Sequence, residues 1–267
     1  MKRISTALAC LALALAPACG KKHEEEKSKG GGGEQGEGPA AKAAPGVDLA
    51  GKKVKIGTLN DESGPAAVVG KPFANGKRLL AAVVNGGGDA FLPDGWKIEL
   101  VERDHGYNPM NAKKEFDGIK DQVLFIGTSF GTPNTLPLLK PLERDGLIAF
   151  PASLSSEMAK NMHTPPLGPS YEVEAMRAMD WAVAHAGGAG KVKAGLVYQD
   201  DDYGKDGRAG WQRAAAEHGV TIVSEHPIQP TDKDFTAVIK GLQQKGANYV
   251  LLALLPSASG PVLGGAA

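Results

Sequence analysis

Five consecutive residues, Gly127-Thr128-Ser129-Phe130-Gly131, match the G-x-S-x-G pattern that presents a nucleophilic serine on a sharp turn between a strand and a helix. Asp200, Asp201 and Asp202, then His226, come in the chain order Ser, Asp, His, so a serine hydrolase using Ser129 is one reading of the chain. Three features oppose it. Only two βα units precede the motif, Pro133 and Pro137 do not suit a helix starting directly after the serine, and His226 precedes Pro227 at what reads as a strand end. The alternative for the same five residues is a glycine-relieved turn that brings backbone N–H groups and hydroxyls to a cleft.

Other reactive-looking stretches reduce to simpler structures. Asp200 to Asp202 suggests a calcium loop, but a frame starting at Asp200 puts Gly204 and Lys205 at its fifth and sixth positions. A frame starting at Asp202 puts Arg213 at the twelfth, so neither holds the required ligands and a solvated turn with Asp206 near a helix start is expected. Gly187-Gly188-Ala189-Gly190-Lys191 lacks the Gly and the Ser or Thr of a phosphate loop and precedes a strand instead of a helix. No G-x-G-x-x-G opens a helix after the first strand, and His105, His163, His185, His218 and His226 show no i, i+4 metal spacing. No metal or cofactor is expected.

The elements that must carry any site alternate. Val192 to Tyr198 reads as a strand, Gln199 to Lys205 as an acidic turn, and Gly207 to His218 as a helix with Trp211, Ala214, Ala215 and His218 at i, i+3, i+4, i+7. Gly219 stops that helix and Val220 to Ser224 starts another strand, a βαβ unit with a parallel pair. In such sheets ligands sit outside the carboxyl ends of the strands, which directs attention to Asp200 to Tyr203.

Before this unit, strands are expected at Lys53–Leu59, Trp96–Glu102, Val123–Ile126 and Leu147–Phe150. A helix over about 71–85 would bury Leu79, Leu80, Val83 and Val84; a second would use Ala112, Phe116 and Ile119; a third would be centred on Leu136, Leu139 and Leu142. Pro151 to Pro169 is irregular and leads to a helix over Tyr171–Ala186. After the unit, Phe235, Val238, Ile239 and Leu242 make another helix, and Tyr249 to Leu255 is a continuous apolar strand expected to be covered on both faces. The junctions Asp145-Gly146, His218-Gly219 and Lys245-Gly246 each join a helix to a strand, which indicates an alternating α/β architecture.

The 267 residues are 42% hydrophobic, enough for more than one lobe, and 30 basic residues balance 30 acidic ones, so charge favours neither nucleic acid nor an anionic membrane surface. Lys2 and Arg3, the apolar run Ile4 to Leu15 and then Ala16-Pro17-Ala18-Cys19 resemble a bacterial lipobox: a signal peptide over 1–18 followed by a lipidated Cys19. Both cysteines, Cys10 and Cys19, fall in this region, so the folded part makes no disulfide and is held by packing. Residues 19–52, Gly-rich and charged, read as a flexible tether.

Eight stretches in order resemble the solute-binding proteins of ABC transporters for branched-chain (Leu/Ile/Val) amino acids, the type 1 periplasmic binding fold. They are KVKIGTLNDESGP, VVNGGG, WKIELVERD with its following NP, IGTSFGTPN, ERDGLIAFPAS, GPSYEVEA, LVYQDDDYGKDG and TDKDFTAVIKGLQQKGANYVLL. The resemblance covers about residues 53–267 and implies an α/β fold of two lobes with parallel βαβ units, lobe one over 53–168 and lobe two over 169–267, incomplete at its C-terminus. It implies hinge closure on a small carboxylate, transfer to ABC permease subunits, no catalysis, no cofactor, no nucleic acid, and a monomer anchored outside the cytoplasm by its lipid. By position it puts Phe130, Gly131 and Thr132 beside the ligand, has Ala152 offer a backbone N–H and Ser153 a hydroxyl, and makes Tyr203 the lobe-two tyrosine, with Tyr171 beside the entry to lobe two. Val69, Leu154 and Leu254-Leu255 replace polar or aromatic residues of amino-acid binders, which implies a less polar ligand. A sensor lobe presenting ligand to a receptor is the further alternative within the same fold.

Overall fold

The computed structural model of the chain describes residues 43–87, 92–93 and 95–266. The expected signal peptide, Cys19 and the tether up to residue 42 lie outside the described residues. Two parallel sheets organise the folded part. In the first, β2 (Lys53–Asn60) runs parallel to β3 (Lys97–Asp104) on one side and to β4 (Phe125–Phe130) on the other, and β4 pairs with β5 (Ala149–Ala152). In the second, β6 (Lys193–Gln199) lies between β7 (Thr221–Ile228) and β8 (Tyr249–Ala253), again all parallel. Parallel pairs need crossovers, and helices supply them: α1 (Ala67–Asn85), α2 (Pro109–Ile119), α3 (Thr132–Thr135) running through a 3₁₀ turn into α4 (Leu139–Asp145), and, in the second sheet, α6 (Asp202–His218) and α7 (Thr236–Gln244); α5 (Tyr171–Ala186) lies between the two sheets in chain order and α8 (Pro256–Ala266) follows β8.

Each lobe has its own core. Leu59, Phe116, Ile119, Val123, Ile126, Leu138 and Leu142 close lobe one between its sheet and α2 to α4. In lobe two the central strand β6 is buried on both faces: Leu196 joins Met179, Trp211, Ala214 and Ala215, while Val197 joins Ile228, Phe235, Leu242 and Leu254. Gly146, Gly219 and Gly246 all take left-handed backbone, at φ 66°, 70° and 64°, which lets the chain turn from helix into strand without a steric penalty on a side chain.

Four local expectations change. Helix α1 starts earlier than the pattern suggests and buries its small residues Gly70, Ala74 and Ala81 with Val84, whereas Leu79, Leu80 and Val83 are exposed. The small stripe lets the helix lie close to the sheet, so close approach outweighs side-chain size in choosing the buried face. Helix α6 starts at Asp202, five residues before the spacing indicates, and its last turn leaves His218 exposed, with the ring 2.7 Å from Asp180. Strand β8 pairs with β6 alone in the described sheet, so Val250 stays 37% exposed instead of being covered. Finally, residues 43–52 of the expected tether are ordered: β1 (Val47–Asp48) pairs antiparallel with the start of β2, and Gly46, at φ 76°, fits where a Cβ would lie 2.4 Å from the Leu124 nitrogen.

Candidate ligand-binding site

The carboxyl ends of the strands in both sheets face a common cavity of about 180 Å³. Its wall is built from Phe130 at the end of β4, Gly131 and Thr132 at the start of α3, and Ala152 at the end of β5. Tyr171 and Tyr203 open α5 and α6, and Leu254, Leu255 and Pro256 come after β8; Val69 in α1 and Tyr107 after β3 complete it. Six of the seven residues expected beside a ligand, namely Phe130, Gly131, Thr132, Ala152, Tyr171 and Tyr203, line this one cavity. The seventh, Ser153, is buried just behind it, with its hydroxyl 2.5 Å from that of Thr132.

Local capping holds these side chains in place. Asp201 accepts from the Tyr203 and Gly204 backbone N–H groups at 3.0 and 3.1 Å, which fixes the first turn of α6. Ser170 caps α5 by accepting from Val173 N–H, and Tyr171 N–H donates to Leu154 O at 2.9 Å. The two tyrosine rings then meet edge to face, 4.8 Å between centroids, and the Tyr203 phenol donates to Leu254 O at 3.4 Å. On the facing lobe Gly131, at φ 87°, permits the turn from β4 into α3, and a Cβ there would come within 2.8 Å of the Tyr107 ring.

Among the described residues that line the cavity none is charged, and burial dominates its electrostatics. Burial pushes the phenols of Tyr107 and Tyr203 well above the usual tyrosine range, so both are neutral hydrogen-bonding groups. Burial also raises Tyr171, with its hydrogen bonds to Leu154 and Ser153 opposing. Behind the wall burial raises the Asp201 carboxyl, against the donors Gln199, Gly204 and Tyr203 that favour its charge. The arrangement can pack an apolar body between aromatic and aliphatic walls and meet a polar end with the Thr132 hydroxyl and the tyrosine phenols.

The hydrolase constellation is not assembled. Ser129 is buried, its hydroxyl 2.7 Å from Thr135 Oγ1, while His226 lies in the other sheet, bonded to Ser224 and packed against Gly241. The three aspartates divide the work of a helix start: Asp200 pairs with Lys205, Asp201 caps, and Asp202 begins α6. Two lining residues escaped the sequence reading outright, Pro256 at the start of α8 and Tyr107; for Tyr107 a signal existed. The signal was its place in the loop after β3, since every such loop in a parallel sheet opens toward the cleft.

A two-lobed α/β body whose strand ends converge on an uncharged hollow has the architecture in which cleft-type small-molecule sites are built. Residues 53–267 match the model of the periplasmic binding protein family, and the chain belongs to that family. It is 24% identical over 211 residues to Leu/Ile/Val-binding protein homolog 8 of Brucella abortus (strain 2308), covering 74% of this chain and 51% of the relative. Among solved structures it is similar to a fatty acid ABC transporter substrate-binding protein from Thermomonospora curvata, with TM-score 0.77, 28% identity, and 84% of this chain and 56% of that one covered. It also shares its fold with a branched-chain amino acid ABC transporter protein from Thermus thermophilus with bound valine, with TM-score 0.69, 20% identity, and 80% and 56% covered. The chain thus spans about half the length of the relatives it matches. The family places it outside the cytoplasm, and among the described residues no helix is long and apolar enough to cross a membrane.

Proposed function

We propose that this chain is the solute-receiving part of an ABC importer, anchored through Cys19, which captures a small carboxylate with an apolar body between its lobes and hands it to permease subunits as a monomer. One observation carries this reading: residues from the carboxyl ends of strands in both sheets line a single uncharged cavity. Thr132 and Ser153 supply hydroxyls at its polar side, and Tyr107, Phe130, Tyr171 and Tyr203 supply the walls. Val69, Leu254 and Leu255 make the lining more apolar than a site dedicated to zwitterions needs, which favours aliphatic or aromatic carboxylates over polar amino acids. Micromolar capture corresponds to about 8 kcal/mol, within reach of a few hydrogen bonds to a carboxylate and one buried apolar group.

A thermal-shift panel of valine, octanoate and 4-hydroxybenzoate on the purified chain tests the reading. A binder present at a hundred times its Kd stabilises the fold by about 2.7 kcal/mol, a shift readily seen in Tm. A panel in which no member raises Tm, repeated with the same outcome by calorimetric titration, overturns it.

A further inference from the structure

Tyr107 spans the two lobes. Its ring lines the cavity and packs against Gly131 in lobe one, while its phenol oxygen accepts from Gln199 Nε2 of β6 in lobe two at 3.3 Å. Gln199 is 1% exposed and also donates to the Asp201 carboxylate, whose other oxygen accepts from the Tyr203 and Gly204 N–H groups. A continuous run of hydrogen bonds therefore leads from a lobe-one phenol to the backbone that sets the position of Tyr203.

The backbone around Tyr107 is costly and specifically held. Tyr107 sits at φ 58°, a left-handed conformation that bulky residues avoid, directly after Gly106 at φ 59°. Its N–H donates to His105 Nδ1 at 3.1 Å, and the buried His105 ring is kept neutral by desolvation, with Asp61 and Asp104 pulling the other way and Lys77 adding to the effect. Strain of this kind persists where the surroundings over-determine a conformation, and it clusters where a side chain must be aimed.

We infer that Tyr107 and Gln199 are positioning residues that couple the lobes: the Tyr107 phenol orders Gln199, and through Asp201 this sets the angle at which Tyr203 faces the cavity. The inference rests on the reading of this cavity as the solute site, but its test needs no solute. The chain has five tyrosines, Tyr107, Tyr171, Tyr198, Tyr203 and Tyr249, so biosynthetic 3-fluorotyrosine gives five ¹⁹F resonances, assignable by single Tyr→Phe variants. In ligand-free protein, Tyr107→Phe is expected to shift the Tyr203 resonance while leaving that of Tyr249 unchanged. Gln199→Leu is expected to move the Tyr203 signal as well, and the double variant to move it no further than the larger single change. A Tyr203 resonance unmoved by Tyr107→Phe, or additive shifts in the double variant, overturns the inference. If Gln199→Leu does not fold, Tyr107→Phe decides alone, because it removes one oxygen and keeps the ring that packs on Gly131. Should the carboxylate panel fail while these shifts appear, the coupling stands and the solute class falls.

Discussion

The hydroxyls of Thr132 and Ser153 meet at 2.5 Å although the two residues come after different strands, one after β4 and the other after β5. The contact ties two strand ends together at the wall of the cavity and keeps both oxygens satisfied out of water.

Thr132→Val keeps the shape of the side chain and removes its hydrogen bond, leaving the Ser153 hydroxyl with one partner fewer in a buried setting. A loss of about 1–3 kcal/mol is expected by urea unfolding. Affinity for whichever panel carboxylate binds is expected to drop by about tenfold in calorimetric titration. Adding Ser153→Ala should restore part of the stability and none of the affinity.

The edge-to-face pair of Tyr171 and Tyr203 gives a second, separable effect. Tyr203→Phe retains the pair and is expected to bind within about threefold of the parent, whereas Tyr203→Ala also forfeits a contact worth about 0.5–1.5 kcal/mol and opens the wall. Equal affinities for the two variants would deny Tyr203 a part in enclosing the solute.

Lys77 lies on the buried stripe of α1, between Ala74 and Ala81, with no hydrogen-bond partner for its amine and the Phe73 ring 5.2 Å away. Desolvation lowers its pKa from 10.5 to about 8, against the pull of Glu102 and Glu62. Because the folded value is the lower one, the unfolded chain holds more protons between these limits, so stability rises with pH across that window. Lys77→Met is expected to raise Tm at pH 7, and the gain should shrink as pH climbs from about 8 toward 10.5. A gain that is constant with pH would show that packing, not charge burial, is responsible.

Gly210 brings the backbone of α6 so close to α5 that an added Cβ would lie 2.0 Å from the Glu172 carbonyl oxygen. Gly210→Ala is expected to cost about 1–3 kcal/mol or more in denaturant unfolding, although alanine is the better helix former. Unchanged stability would mean that the helices separate without penalty.

Ser129 is buried and engaged by Thr135, away from His226. A fluorophosphonate probe is expected to leave the protein unlabelled, as read by intact mass. Labelling that disappears in Ser129→Ala would reinstate acyl-transfer chemistry.

Much of the alternation was legible because helix, glycine and strand succeed one another three times, and the glycine that ends a helix has one physical job. The helix over Tyr171–Ala186 was readable to the residue, since Ser170 caps it and Gly187 ends it. Strand β4 was not: apolar periodicity stops at Ile126, yet the strand continues through Thr128 and Ser129. Those polar residues are buried by pairing and by the bond to Thr135, and a pattern of hydrophobicity is blind to satisfied polar groups. Gly204 helped hide the first turn of α6 for the opposite reason, because a weak helix former is used there for close contact with the Gln199 backbone. The aligned candidates reached the cavity because strand ends fix direction, while Tyr107 escaped notice because a left-handed turn after an ordinary strand has no spacing to read.

The pairing of β1 with Lys53 and Val54 sets where the chain enters lobe one. That entry is at the amino ends of the strands, and the cavity is at their carboxyl ends, about 23 Å away along the eight residues of β2. The stretch entering at residue 43 and the wall of the cavity therefore occupy opposite ends of one sheet, so a change at either is separated from the other by a full strand length.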